Sequence, residues 1–140
     1  MEQKDALRLA LVERAKEARK NAYCPYSGFA VGAALLCADG SVYAGCNIEN
    51  AGFTATCCAE RTAFFRAVND GKRQFKAIAV VGGKAGEEPC EPCAPCGVCR
   101  QVMAEFCAPG FEILLTAGGA VKAYALEELL PQAFGPGNLQ

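Results

Sequence analysis

Six consecutive residues, Thr56-Cys57-Cys58-Ala59-Glu60-Arg61, set a thiol, a carboxylate and a guanidinium side by side at the expected start of a helix. Downstream, from Cys90, the chain reads C-E-P-C-A-P-C-G-V-C-R-Q, with four cysteines at strict three-residue intervals. That is metal-ligand spacing and a poor fit to ordinary packing. A fold for this chain has to bring the two stretches together around one metal site and present a substrate to it.

Composition narrows what that substrate is. The 140 residues suit one domain spanning residues 1–140, and 52% apolar with 21% charged residues is ordinary globular composition. With 14 basic against 15 acidic residues the net charge is −1, so the chain lacks the electrostatic footprint for nucleic acid or an anionic membrane. A small or neutral ligand fits better. The N-terminus interleaves charges with apolar residues and has no signal-peptide core, and no apolar run approaches the ~20 residues of a membrane span. Ten cysteines without an export signal read as reduced thiols in a cytoplasmic chain, some binding metal and others buried. Cys37 and Cys46, inside strand-like runs, read as small core residues. There is no histidine, which removes every Ser-His, Cys-His and His-zinc scheme. Proton transfer then falls to a carboxylate, lysine, tyrosine, cysteine or a water on a metal.

From Asp5 the residues Leu7, Leu11, Ala15, Ala18 and Ala22 recur at helical spacing among charges, predicting an amphipathic helix that ends by Tyr23, ahead of Pro25. Residues 29–37 and 42–48 flank Asp39-Gly40 as a β-hairpin. The first arm is apolar at consecutive positions, so helices cover both its faces. A second helix is expected over residues 58–69, a strand over 75–81 closed by Gly82-Gly83, a third helix over 98–107, and strands at 111–115 and 121–126. A last helical turn spans 127–130. The order is α-ββ-α-β-α-β-β, which predicts an α/β fold of three layers, α-β-α, with a mixed five-stranded sheet.

Cys90/Cys93, Cys93/Cys96 and Cys96/Cys99 are each a CxxC. Only the last runs straight into a helix-forming stretch, Arg100-Gln101-Val102-Met103-Ala104-Glu105, so only there can a helix N-terminus aim its amides at the thiolates. Here the chain resembles the zinc-dependent cytidine deaminases, in the small form with three cysteine ligands. The segments that carry the resemblance stand in family order: Tyr26-Ser27-Gly28-Phe29-Ala30-Val31-Gly32, Gly45-Cys46-Asn47-Ile48-Glu49-Asn50, Cys58-Ala59-Glu60-Arg61-Thr62-Ala63, Pro95-Cys96-Gly97-Val98-Cys99-Arg100-Gln101 and Leu129-Leu130-Pro131-Gln132-Ala133-Phe134.

The resemblance implies that Cys58, Cys96 and Cys99 hold Zn²⁺ and that Glu60 takes a proton from the attacking water and protonates first N3 and then the leaving amino group of cytidine, the second proton also coming from the water. Arg61 would hydrogen-bond the ligand sulfurs and, with the helix N-termini, offset their charge. Asn47 and Glu49 would grip the ribose hydroxyls, and Phe29, Ala59 and Phe134 would line the nucleoside pocket, Phe134 packing on the base. Uridine and ammonia would result, from cytidine and from 2'-deoxycytidine, in pyrimidine salvage. The family's small form is a homotetramer that shares residues across its interfaces. Phe53 stands where many relatives carry tyrosine, and Cys57, Cys90 and Cys93 fall outside the pattern.

Other readings stay open at this point. A relative could deaminate another aminated pyrimidine, such as blasticidin S. A polynucleotide editor lacks its basic patch. A four-cysteine iron–sulfur carrier would need a fourth cysteine at a different spacing, followed by proline, and a structural zinc module would need four closed ligands.

Overall fold

The computed structural model describes residues 2–140. Its elements, in chain order, are α1 (Gln3–Arg19), β1 (Phe29–Cys37), β2 (Val42–Cys46), α2 (Ala59–Asn69), β3 (Phe75–Lys84), α3 (Gly97–Phe106), β4 (Glu112–Ala117), β5 (Ala120–Ala125) and α4 (Leu126–Leu129), with 3₁₀ turns at Phe53–Ala55 and Pro136–Leu139. The strands form one sheet in the order β2-β1-β3-β4-β5. Only β3 and β4 run parallel, joined through α3; every other pair is antiparallel.

Strand alternation divides the core in two. Ala33, Leu35, Cys37, Ile78, Val80, Ile113 and Leu115 point to the side covered by α2, α3 and α4. Ala34, Leu36, Ala77, Ala79, Val81 and Leu114 point to the side covered by α1. This is the three-layer α-β-α arrangement that the apolar run in β1 requires.

Glycine sets how closely the helices lie on the sheet. A Cβ on Gly32 would stand 1.9 Å from the Ala15 carbonyl oxygen of α1, and one on Gly45 would stand 2.6 Å from both the Ala59 oxygen and the Ala63 nitrogen of α2. Ala59, Ala63 and Ala67, all fully buried, keep α2's side of that contact thin. Since Gly45 meets helix backbone, the neighbour cannot swing away. Gly45→Ala is expected to cost about 1–3 kcal/mol or more and to lower Tm accordingly; an unchanged melting curve would show that α2 is free to shift.

Four aromatic rings then hold α2 against α3. Phe64 of α2 meets Phe75 edge-on at 5.1 Å, Phe106 of α3 at 6.3 Å and Phe111 at 6.1 Å between ring centroids. Such pairs add to the area that the rings bury. The two helices therefore start from fixed places.

Some expectations are corrected. Leu11, Val12 and Ala15 are the buried residues of α1, whereas Leu7 is 47% exposed. The inward stripe is offset because Arg8 lies along it, its Nε and Nη2 donating to the Glu112 carboxylate at 3.0 and 2.8 Å. Cys46 is half-buried, lining a cleft with Asn21, Thr62 and Arg66, so it is no core residue. Strand β3 does not close at Gly82-Gly83 but continues to Lys84, paired with β1 through both glycines. A Cβ at Gly82 would stand 2.6 Å from Cys93 Sγ, and one at Gly83 would stand 3.1 Å from Pro89 Cβ. The glycines make room for the loop before α3 and do not end the strand.

The Arg8 guanidinium holds the Glu112 carboxyl below its ordinary value, chiefly by hydrogen bonding. A group with a lowered folded pKa stabilises above its unfolded pKa and loses that contribution as pH falls through the folded one. Glu112→Gln is thus expected to cost about 3 °C of Tm near pH 7, a difference that shrinks through the acid carboxylate range. A Tm gap that persists undiminished well below that range would contradict it.

Candidate metal centre and active site

Both ligand stretches arrive at helix starts. Cys58 is the N-cap residue of α2 and Cys96 that of α3, each with extended backbone, and Cys99 lies in the first turn of α3. Two sets of free helical N–H groups, with the positive ends of two helix dipoles, therefore converge where the thiols meet. Cys58 Sγ lies 3.7 Å from Cys96 Sγ, and Cys96 Sγ 3.6 Å from Cys99 Sγ. All three fall within 4.8 Å of one another. No disulfide joins any of the ten cysteines.

This donor set fits zinc. A tetrahedral shell with Zn–S near 2.3 Å puts sulfurs about 3.8 Å apart, close to the observed separations. Three protein donors leave the fourth position that a catalytic site keeps open. Cys93 stands apart against Gly82 and Cys90 is exposed, so the register of the cysteine run is Cys96/Cys99.

The charge of the thiols is managed locally. Arg61 Nη2 lies 3.4 Å from Cys58 Sγ and 3.5 Å from the Thr56 carbonyl oxygen. Hydrogen bonds from Cys99, then Arg61 and Cys96, bring the Cys58 thiol down to about 5. Cys99 is pushed up, as the thiol that keeps the proton shared with Cys58. Arg61 is itself raised, first by its hydrogen bond to Cys58. Its Nε is the one buried side-chain polar atom without a partner among the described residues. That unpaired Nε–H is explained once a further acceptor, such as a second thiolate of the cluster, stands beside it. Arg61→Ala is expected to weaken zinc binding about 10- to 100-fold in chelator competition, the usual cost of losing a group that supports a metal ligand. Unchanged affinity would leave the helix N-termini as the only offset.

Glu60 is 4% exposed, and burial is the main reason that its carboxyl is pushed up to about 7. A carboxyl able to hold or release a proton near neutrality, two residues from a ligand, is suited to general acid–base work. Ala59 beside it is fully buried.

Of the other sequence-predicted residues, Asn47 and Glu49 lie on a short ladder next to Cys58. Ile48 exchanges two 2.9 Å backbone hydrogen bonds with Cys57, while Tyr23 N donates to Asn47 O at 3.0 Å and Glu49 N to Tyr23 O at 2.8 Å. Asn47 Oδ1 accepts from Val31 N at 2.9 Å, and its Nδ2 donates to Phe29 O at 2.8 Å. Glu49 Oε1 accepts from Tyr26 N and Ser27 N, and Oε2 from the Ser27 hydroxyl. Both side chains thus brace the turn that leads into β1 and presents Phe29, 44% exposed. Phe134, 58% exposed, sits on a separate C-terminal segment whose link to α3 is a Gln101 hydrogen bond.

Sequence reasoning missed Ser27, whose hydroxyl donates to the Glu49 carboxylate, and Arg100 and Gln101, which donate to backbone carbonyls brought close only by the fold. It also missed the seat of Cys93, whose one sequence signal was the Gly82-Gly83 pair.

With this geometry in place, comparison with known proteins is decisive. Residues 6–114 match the family model of the cytidine and deoxycytidylate deaminase zinc-binding region. The chain belongs to that family. It is 52% identical over 131 residues to the cytidine deaminase of Sporosarcina psychrophila, covering 92% of each chain. It is 41% identical over 126 residues to that of Mycobacterium tuberculosis, covering 89% of this chain and 87% of the relative. The crystal structure of the Burkholderia pseudomallei cytidine deaminase superposes with a TM-score of 0.81 at 52% identity, over 90% of this chain and 98% of that one. Family membership accounts for zinc as the cofactor of the three-cysteine site and for the mixed-sheet fold around it.

Proposed function

We propose that this chain is a zinc-dependent cytidine deaminase: cytidine and water give uridine and ammonia, and 2'-deoxycytidine reacts in the same way. The observation that carries the reading is the buried Glu60 carboxyl, poised near neutrality, next to three convergent thiols at two helix N-termini. Cys58, Cys96 and Cys99 hold the metal, which when bound supplies Lewis-acid activation of water. Glu60 takes up one proton of the attacking water and passes it to N3 of the pyrimidine as the water oxygen bonds C4; it then takes the second proton from that oxygen and gives it to the amino nitrogen as the C4–N bond breaks. Arg61 stabilises the thiolates throughout. Ala59 and Phe29 line the nucleoside pocket, and Phe134 packs on the base.

Asn47 and Glu49 keep enough capacity for the ribose while bracing the loop. An amide nitrogen has two donors and Asn47 uses one on Phe29 O; a carboxylate has about four acceptor positions and Glu49 uses three. One donor and one acceptor are left, the complement of a sugar hydroxyl.

The reading extends to a single domain over residues 1–140 that works as a homotetramer in cytoplasmic pyrimidine salvage. Phe53 at 78% exposure, Tyr26 at 56% and Phe134 at 58% support burial between subunits. Reduced thiols suit that compartment. No helix among the described residues is long and apolar enough to cross a membrane.

Two measurements test this reading. Zinc-loaded protein should convert cytidine and 2'-deoxycytidine with one ammonia released per nucleoside, and sedimentation should give four times the monomer mass. Conversion of neither nucleoside would move the activity to another aminated substrate, and a monomer at assay concentration would contradict the assembly.

A further inference from the structure

Arg100 and Gln101 follow directly on the last cysteine of the metal cluster, and between them they fasten the C-terminal segment to α3. Arg100 Nε donates to the Pro95 carbonyl at 2.7 Å, and its Nη1 donates to the Leu129 carbonyl at 2.7 Å. Pro95, buried, immediately precedes Cys96, and Leu129 is the last residue of α4. One half-buried guanidinium thus spans the turn that delivers a metal ligand and the point where the C-terminal segment begins. Gln101 Nε2 donates to the Phe134 carbonyl at 2.8 Å. Between these two fastenings Gln132 holds φ at 57°, the only non-glycine residue with positive φ among those described. Glutamine adopts that conformation at a cost, so the segment keeps its path only if its ends are held.

We infer that Arg100 and Gln101 are positioning residues for catalysis: they act through Phe134, fixing where its ring stands relative to the helix that carries Cys96 and Cys99. The inference rests on the reading of Phe134 as the aromatic that packs on the base, and it holds whether that ring serves its own subunit's site or a neighbour's. Arg100 sets the origin of the segment and Gln101 its far end. Rigid fastening means that the ring is in place before the nucleoside arrives, so substrate binding does not bear the cost of ordering it. Loss of a fastening should therefore appear in KM, with kcat and the metal largely spared.

The test is steady-state kinetics on cytidine with the zinc content measured for each variant of the full-length protein. Gln101→Met keeps the length and the helix propensity but removes the donor. It is expected to raise KM about three- to tenfold, the range for one lost hydrogen bond, with kcat within about twofold and zinc unchanged. Gln101→Lys restores a donor of similar reach and should bring KM back toward the parent value. Arg100→Lys, which keeps the charge but loses the two-pronged reach, should raise KM in the same way. Phe134→Ala should raise KM by at least as much, and adding Gln101→Met or Arg100→Lys to it should raise KM no further, because the residue through which they act is gone. A parental KM in Gln101→Met, or effects that multiply with Phe134→Ala, would overturn the inference and leave the role of Phe134 intact. A parental KM in Phe134→Ala would instead overturn the reading of Phe134 itself, and the inference with it.

Discussion

Replacing Cys99 with alanine is expected to empty the metal site and abolish deamination in one step. Cys99 is 1% exposed in the first turn of α3, and its sulfur completes the three-thiol cluster with Cys58 and Cys96. Two thiols with no third donor bind zinc far more weakly, and metal that binds only the folded chain stabilises it by about 4 kcal/mol at a thousandfold excess over Kd. Zinc content should fall from one to below about 0.1 per chain, activity to background, and Tm by roughly 10 °C. The unused cysteines provide the control. Cys90→Ala should keep zinc and activity, since Cys90 is exposed and outside the cluster. A full complement of zinc in Cys99→Ala would mean that another cysteine, with Cys93 the nearest in sequence on the Cys96 side, can complete the site.

Changing Glu60 to glutamine should have the opposite pattern: activity lost, metal kept, stability equal or higher. The amide has nearly the same shape but cannot accept a proton and give it back, so kcat/KM should fall about 10²- to 10⁴-fold. Burial disfavours the charged carboxylate at this position, as its raised pKa records. Removing that charge should therefore not destabilise the fold, and a rise in Tm would show stability given up for function. A Glu60→Gln protein that retains parental kcat/KM would show that the proton moves by another route. A variant that loses zinc would show that the carboxyl also supports the metal ligands.

The convergence of Cys58, Cys96 and Cys99 beside a buried Glu60 was legible in the sequence because its logic is local. A cysteine before a helix start, a carboxylate two residues on, and a PCxxC running into a second helix need only helix periodicity and capping to be read. The sheet was legible for the same reason: β1 and β4 alternate inward residues between two helical layers, and Asp39-Gly40 closes a hairpin with Gly40 at φ 93°. What stayed hidden depends on segments remote in the chain. Gly82 and Gly83 look like a strand end until Cys93 and Pro89 are seen packed on them. Leu7 fits the apolar stripe of α1 better than Arg8 does, but Glu112, from β4, draws Arg8 into line. The hydrogen bonds of Asn47 and Glu49 to residues 26–31, and those of Arg100 and Gln101 to Pro95, Leu129 and Phe134, join side chains to backbone atoms whose meeting no periodicity encodes.

The most direct test of the account is ammonia release from cytidine by the zinc-loaded protein, measured beside its Glu60→Gln variant at equal zinc content. The account requires steady release by the parent, matched by uridine, and at least about a hundredfold less from a folded, zinc-bound variant. No release by folded, zinc-loaded parent would contradict it, leaving a three-thiol metal centre whose substrate is not cytidine.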